Sequence, residues 1–145
     1  MSTDRTLSPR GMTWPQMAAL AVGAIYTLIG VIGWFVTGFD GFFSDSGDTL
    51  LGFMINPFHN LVHLLIGVAG LVLSRTLSGA RTYGWLLAVG YGAAFVYGLF
   101  AVGESWDFLA LNWADNILHL VTALVGAAIA LGPVHSGVGD RTIRA

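Results

Sequence analysis

The sequence predicts an all-α fold: an integral membrane four-helix bundle built from two tandem helical hairpins, with both termini cytoplasmic. Three observations predict it. Four apolar stretches, at 14–37, 56–74, 82–103 and 112–132, each reach about the twenty residues that a helix needs to cross the hydrocarbon layer. Every basic residue is an arginine, and the arginines fall only before the first stretch, between the second and third, and after the fourth. A nine-residue pattern occurs twice, each time opening an apolar stretch: Asn56-Pro57-Phe58-His59-Asn60-Leu61-Val62-His63-Leu64 and Asn112-Trp113-Ala114-Asp115-Asn116-Ile117-Leu118-His119-Leu120.

Of the 145 residues, 55% are hydrophobic and 10% charged, whereas a soluble domain carries about a quarter charged residues. Inside hydrocarbon no water satisfies backbone groups, so helices are the expected form; no ten-residue alternation points to membrane strands. The chain divides into a cytoplasmic tail at 1–13, a single transmembrane domain at 14–132 and a second tail at 133–145, which contains His135. The first span is too long for a signal-peptide core and no small-residue cleavage site follows it. Arg5 and Arg10, Arg75 and Arg81, and Arg141 and Arg144 mark the cytoplasmic side by the positive-inside rule, while Asp40, Asp45, Asp48, Glu104 and Asp107 lie in the two outer loops. The expected location is the bacterial plasma membrane, with the lipid bilayer as the first partner. Two arginines per segment are a topological signal and no basic patch, so nucleic-acid binding is not expected.

Interfacial aromatics agree with this topology: Trp14, Tyr83 and Trp85 near the inner boundary, and Trp34, Trp106 and Trp113 near the outer one. The outer loop from Gly38 to Ile55 mixes aromatic and acidic residues. It is expected to lie along the membrane surface, with a docking surface for another subunit as the alternative. Ala21-Val22-Gly23 in span one resembles Ala88-Val89-Gly90 in span three, which extends the repeat to whole hairpins related by an axis along the membrane normal. Spans two and four then become partners, with His63 opposite His119. Positions 56, 60, 63, 67, 70 and 74 and positions 112, 116, 119, 123, 126 and 130 step at heptad intervals, which puts Asn56, Asn60, His63, Gly67, Gly70 and Ser74 on one face of span two and Asn112, Asn116, His119, Ala123, Gly126 and Ala130 on one face of span four. Gly67, Gly70, Ala123 and Gly126 are the expected close-packing positions. Span three has its own ridge of Gly90, Ala94 and Gly98.

The motif has an architectural reading, which is the expected one, and a chemical reading as the alternative. In the first, Asn56 and Asn112 cap their helices, Pro57 occupies the first helical position, and Asp115 reaches back to the cap amide. Asn60 and Asn116 hydrogen-bond across the seam. The protein is then a non-enzymatic accessory or scaffold subunit with a membrane-protein partner or self-association. In the second, His59 and His63, four residues apart, share a helical face with chelating spacing, as do Asp115 and His119. Three imidazoles and a carboxylate suit zinc, copper, iron or manganese better than calcium. His59 and Asp115 lie beside the seam, so all four converge only if the helices rotate slightly. Haem held by His63 and His119 is a further alternative, and a proton or ion pathway another. With no cysteine and no lysine, thiolate sites, disulfides, iron–sulfur clusters and Schiff bases are excluded. His59-Asn60-Leu61-Val62-His63 has zincin spacing but lacks the general-base glutamate, and no serine-nucleophile or phosphate-loop motif is present.

Four spans with these two openings resemble the family of small, mainly actinobacterial membrane proteins known as domain of unknown function 4383. The resemblance covers about residues 15–132, and Asn56, His59, Asn60, His63, Asp115, Asn116 and His119 all fall on its motifs. It implies a four-helix inner-membrane protein and no particular reaction.

Overall fold

A computed structural model describes residues 11–134; most of both tails, His135 included, lies outside the described residues. The chain forms four helices, α1 (Trp14–Thr37), α2 (Pro57–Leu73), α3 (Leu77–Ala101) and α4 (Trp113–Leu131). Helices α1, α3 and α4 are long and apolar enough to cross a membrane. The fourth, α2, has 17 residues, about 26 Å at 1.5 Å per residue, and so falls just short of the hydrocarbon thickness. Its start is fixed from within: Asn56 Oδ1 accepts the His59 amide at 2.8 Å, and Pro57 follows the cap.

Helix α3 begins five residues before the apolar stretch that predicts it. Thr76 Oγ1 accepts the Gly79 amide and caps a first turn whose polar residues, Ser78 and Arg81 among them, carry no hydropathy signal. Arg81 also acts at a distance. Its Nη1 donates to the carbonyl of Ala130 and its Nη2 to that of Gly132, each at 2.7 Å. A cation thus satisfies free carbonyls at the negative end of α4. We expect Arg81→Ala to lower stability by about 1–3 kcal/mol, measured as an earlier thermal transition in detergent, with Arg81→Lys retaining part of the loss.

The helices pair within hairpins. α1 lies along α2 and α3 along α4; the two hairpins then meet through α1 with α3, α2 with α3 and α1 with α4. No Cα of α2 comes within 8 Å of one in α4. The expected α2–α4 seam is therefore absent: these helices stand on the long diagonal of the bundle. The small residues are spent inside the hairpins instead. A Cβ on Gly23 would lie 2.7 Å from the Leu71 amide nitrogen, one on Gly30 2.7 Å from that of Leu64, and one on Gly67 would overlap the backbone of Thr27. In the second hairpin, a Cβ on Gly84 would lie 2.6 Å from the Ala130 amide nitrogen, and one on Gly126 2.6 Å from that of Ala88. Glycine faces on both partners allow the closest backbone approach, which α2 against α4, with paired histidines on the shared face, does not offer. Ala123 packs in the central core with Leu87 and Ile129.

Tyr83 is a second correction. It is fully buried, with its ring against Gly70, and does not join an interfacial belt. Trp14, Trp85, Trp106 and Trp113 are exposed at the surface. The only strands among the described residues form a two-stranded ribbon in the long loop, β1 (Thr49–Leu50) with β2 (Phe53–Met54). Leu51 and Gly52 turn it, both at positive φ.

Candidate functional site

The two loops at the acidic end of the bundle are stitched together by the cap asparagines. Each does two things. Asn56 and Asn112 accept the amides of His59 and Asp115 through Oδ1, fixing the helix starts. Each also donates its Nδ2 to the opposite hairpin: Asn56 to the carbonyl of Phe108, and Asn112 to that of Gly52, both at 2.9 Å. The caps therefore lock one hairpin to the other directly above the histidines. Asp107 holds the shorter loop, accepting the amides of Leu109 and Leu111.

One turn further in, Asn60 and Asn116 point away from each other. Asn60 rests on Gly33 and donates to Thr37 Oγ1 at 3.0 Å. Asn116 rests on Gly98. The interhelical bond expected between them is not made, because each faces its own hairpin partner. Where α1 supplies the Thr37 hydroxyl, α3 has run into Val102, and the Asn116 amide has no hydrogen-bond partner among the described residues.

The inward face of the diagonal carries the ionisable groups. His59, His63, Asp115 and His119 are all buried. One ring nitrogen from each of His59, His63 and His119 falls within a cluster whose members lie no more than 4.8 Å apart. The rings of His59 and His63 are 4.3 Å apart between centroids, and those of His59 and His119 5.9 Å. Asp115 touches two of the three: its Oδ2 is 3.6 Å from His59 Nε2 and 3.7 Å from His119 Nε2. The four predicted residues thus converge, though by a different route. Diagonal helices leave a gap that facing side chains bridge, where a direct seam would have needed rotation. Asp115 does not close a capping box; its carboxylate turns inward to the imidazoles.

A family model described as Domain of unknown function (DUF4383) matches residues 16–132. The chain belongs to this family. No curated protein and no solved structure matches it. The DUF4383 match spans every group of the cluster, including two that sequence reasoning missed. Tyr26 packs edge-on against His63 at 5.0 Å between centroids, Tyr91 lies tilted against His119 at 5.3 Å, and the two tyrosines are 5.2 Å apart. Tyr26 also shares a 2.7 Å hydrogen bond with Thr122. A signal for them exists: Tyr26 precedes Gly33 by seven residues, as Tyr91 precedes Gly98, and the two glycines seat equivalent asparagines. By that spacing Gly23 falls opposite Ala88, whereas the Ala21-Val22-Gly23 match sets it opposite Gly90. Gly23 packs on α2, whereas a Cβ on Gly90 would meet nothing within 4 Å.

Chemically, the cluster is under-satisfied. His59 Nδ1, His63 Nδ1, His119 Nδ1, Asp115 Oδ2 and the Tyr91 hydroxyl are buried with no hydrogen-bond partner among the described residues. Buried polar groups are normally paired, and each exception asks for a reason.

Proposed function

We propose that this DUF4383 protein is a four-span protein of the bacterial plasma membrane, with cytoplasmic termini and duplicated hairpins, whose buried His59, His63 and His119 bind one transition-metal ion near the extracytoplasmic end. The observation that carries the reading is the convergence of three buried imidazoles from both hairpins, each with an Nδ1 that has no hydrogen-bond partner among the described residues. A purely architectural motif gains nothing from it, since unsatisfied buried groups cost about 1–3 kcal/mol each. An ion held by one nitrogen of each ring would give the buried cluster a partner. Tetrahedral zinc–nitrogen bonds of about 2.0–2.1 Å put ligand nitrogens roughly 3.4 Å apart, so closure needs side-chain shifts on the order of 1 Å. Asp115 serves as fourth ligand or, as its contacts with two imidazoles favour, as the carboxylate that orients them from outside.

Neutral imidazole donors suit zinc, copper or iron, with manganese next. A single ion fits better than haem, because the space beside the imidazoles, about 120 Å³, is far smaller than a porphyrin. The scaffold reading rests on the motif pairing spans two and four, but α2 and α4 do not pack directly on each other. We propose binding and no catalysis.

Protein purified in mild detergent without chelator is expected to carry close to one equivalent of metal by elemental analysis. Metal-free protein that fails to take up zinc, copper, iron or manganese on titration would overturn the proposal.

A further inference from the structure

The two hairpins close the flanks of the histidine cluster unequally. With Tyr26 matched to Tyr91 and Gly33 to Gly98, Ile25 corresponds to Gly90 and Ile29 to Ala94. On the α1–α4 flank, Ile29, Leu118 and the ribbon residues Leu50 and Phe53 leave about 30 Å³ against His63 and Asp115. On the α2–α3 flank, Gly90 and Ala94 leave about 120 Å³ that touches His59, His63 and His119. Val62 and Ile66 complete an apolar wall there. Gly90 is exposed on the outside of the bundle, on the surface that faces acyl chains in a membrane. Ile29, which lines the narrow flank, is thus matched by the smaller Ala94 on the wider one, with Gly90 beside it.

We propose that this flank is a lateral port, through which a small neutral molecule dissolved in the hydrocarbon phase, of the size and polarity of dioxygen or nitric oxide, reaches the imidazoles. Apolar walls exclude charged ligands, whose desolvation nothing there repays. The size sets an upper limit: an engineered apolar cavity of about 150 Å³ stays dry and holds benzene or xenon, so a cavity somewhat smaller admits diatomic molecules and no bulky lipid. The cavity touches the imidazoles and not Asp115. Three imidazoles on one ion leave a coordination position open to an incoming ligand. That last step rests on the metal-binding reading; the port itself does not.

Two measurements on protein in lipid nanodiscs separate the ideas. With metal-free protein, xenon pressure should shift the methyl resonances of Val62 and Ile66, and Gly90→Ile or Ala94→Leu should abolish those shifts. With Fe(II)-loaded protein, nitric oxide should give an iron–nitrosyl electron-spin signal, forming at least tenfold more slowly in either variant at equal iron content. The open space at Gly90 makes that variant compatible with folding, and Ala94→Leu is an independent obstruction. Xenon shifts without iron uptake would remove the metal and leave the port. Absent xenon shifts in the parent protein, or equal nitrosyl rates in parent and both variants, would overturn the port.

Discussion

Gly67→Leu is expected to separate α1 from α2 and abolish the folded bundle. Even the first carbon of the new side chain would overlap the Thr27 backbone. Backbone cannot rotate aside as a side chain can, so the whole of α1 must move. That movement strips Gly23 and Gly30 from α2 and lifts Asn60 off Gly33. It also draws Tyr26 away from His63 and Thr122. Overpacking by a methylene or two costs about 1–3 kcal/mol; here a four-carbon side chain meets main chain, and the cost should exceed that range. Gly67→Ala should fall within it. Helix content and monodispersity in detergent during heating give the measurement, with Gly90→Ala as the matched control, since its Cβ has open space. A Gly67→Leu protein that melts with the parent would mean that α1 and α2 are not packed face to face.

The same residues show what the sequence could and could not reveal. Asn56, Pro57 and Asn112 mark helix starts by chemistry that acts over three residues, and both starts fall where they are expected. The heptad spacing groups Asn60, His63, Gly67 and Gly70 of α2, and all four are buried. A face, however, does not name its partner. Gly67 packs equally well, as far as its own helix can tell, on any glycine-bearing neighbour. The choice of α1 depends on Gly23 and Gly30, whose interval on another helix becomes meaningful only when both are seen to meet α2. The tyrosines were hidden for a similar reason, since aromatic residues in an apolar span look like ordinary filling until a second copy fixes their register. The second amide role of Asn56 and Asn112, across to the opposite loop, depends wholly on tertiary placement. Asn116 is the converse case: a repeated residue whose partner was not repeated, with Val102 where the first hairpin has Thr37.

Replacing His63 or His119 by leucine should abolish stoichiometric metal binding while leaving the metal-free bundle as stable as the parent or more so. The sign of the second effect separates chemistry from architecture. If the histidines were there to hold α2 to α4, removing one would cost at least the contact it makes. Yet His63 and His119 each have a buried Nδ1 without a partner. Exchanging such a group for an apolar one of similar size removes a penalty of about 1–3 kcal/mol, and leucine adds favourable burial beside Tyr26 or Tyr91. Stability surrendered at a site is the usual sign of selection for function there. His59→Leu should lose metal equally, since the cluster needs all three nitrogens. Asp115→Asn should behave differently. It keeps the shape and loses the charge facing His59 and His119, so affinity should drop about 10–100-fold, as for other outer-shell partners, without disappearing. The decisive comparison is paired: metal stoichiometry from elemental analysis, and the thermal midpoint of chelator-stripped protein, for the parent and each variant. Leucine variants that bind metal like the parent would remove the imidazoles as ligands. Variants that lose several kcal/mol of metal-free stability would instead make the histidines part of the scaffold, tying the diagonal helices together through contacts that the ring packing against Tyr26 and Tyr91 would then have to supply.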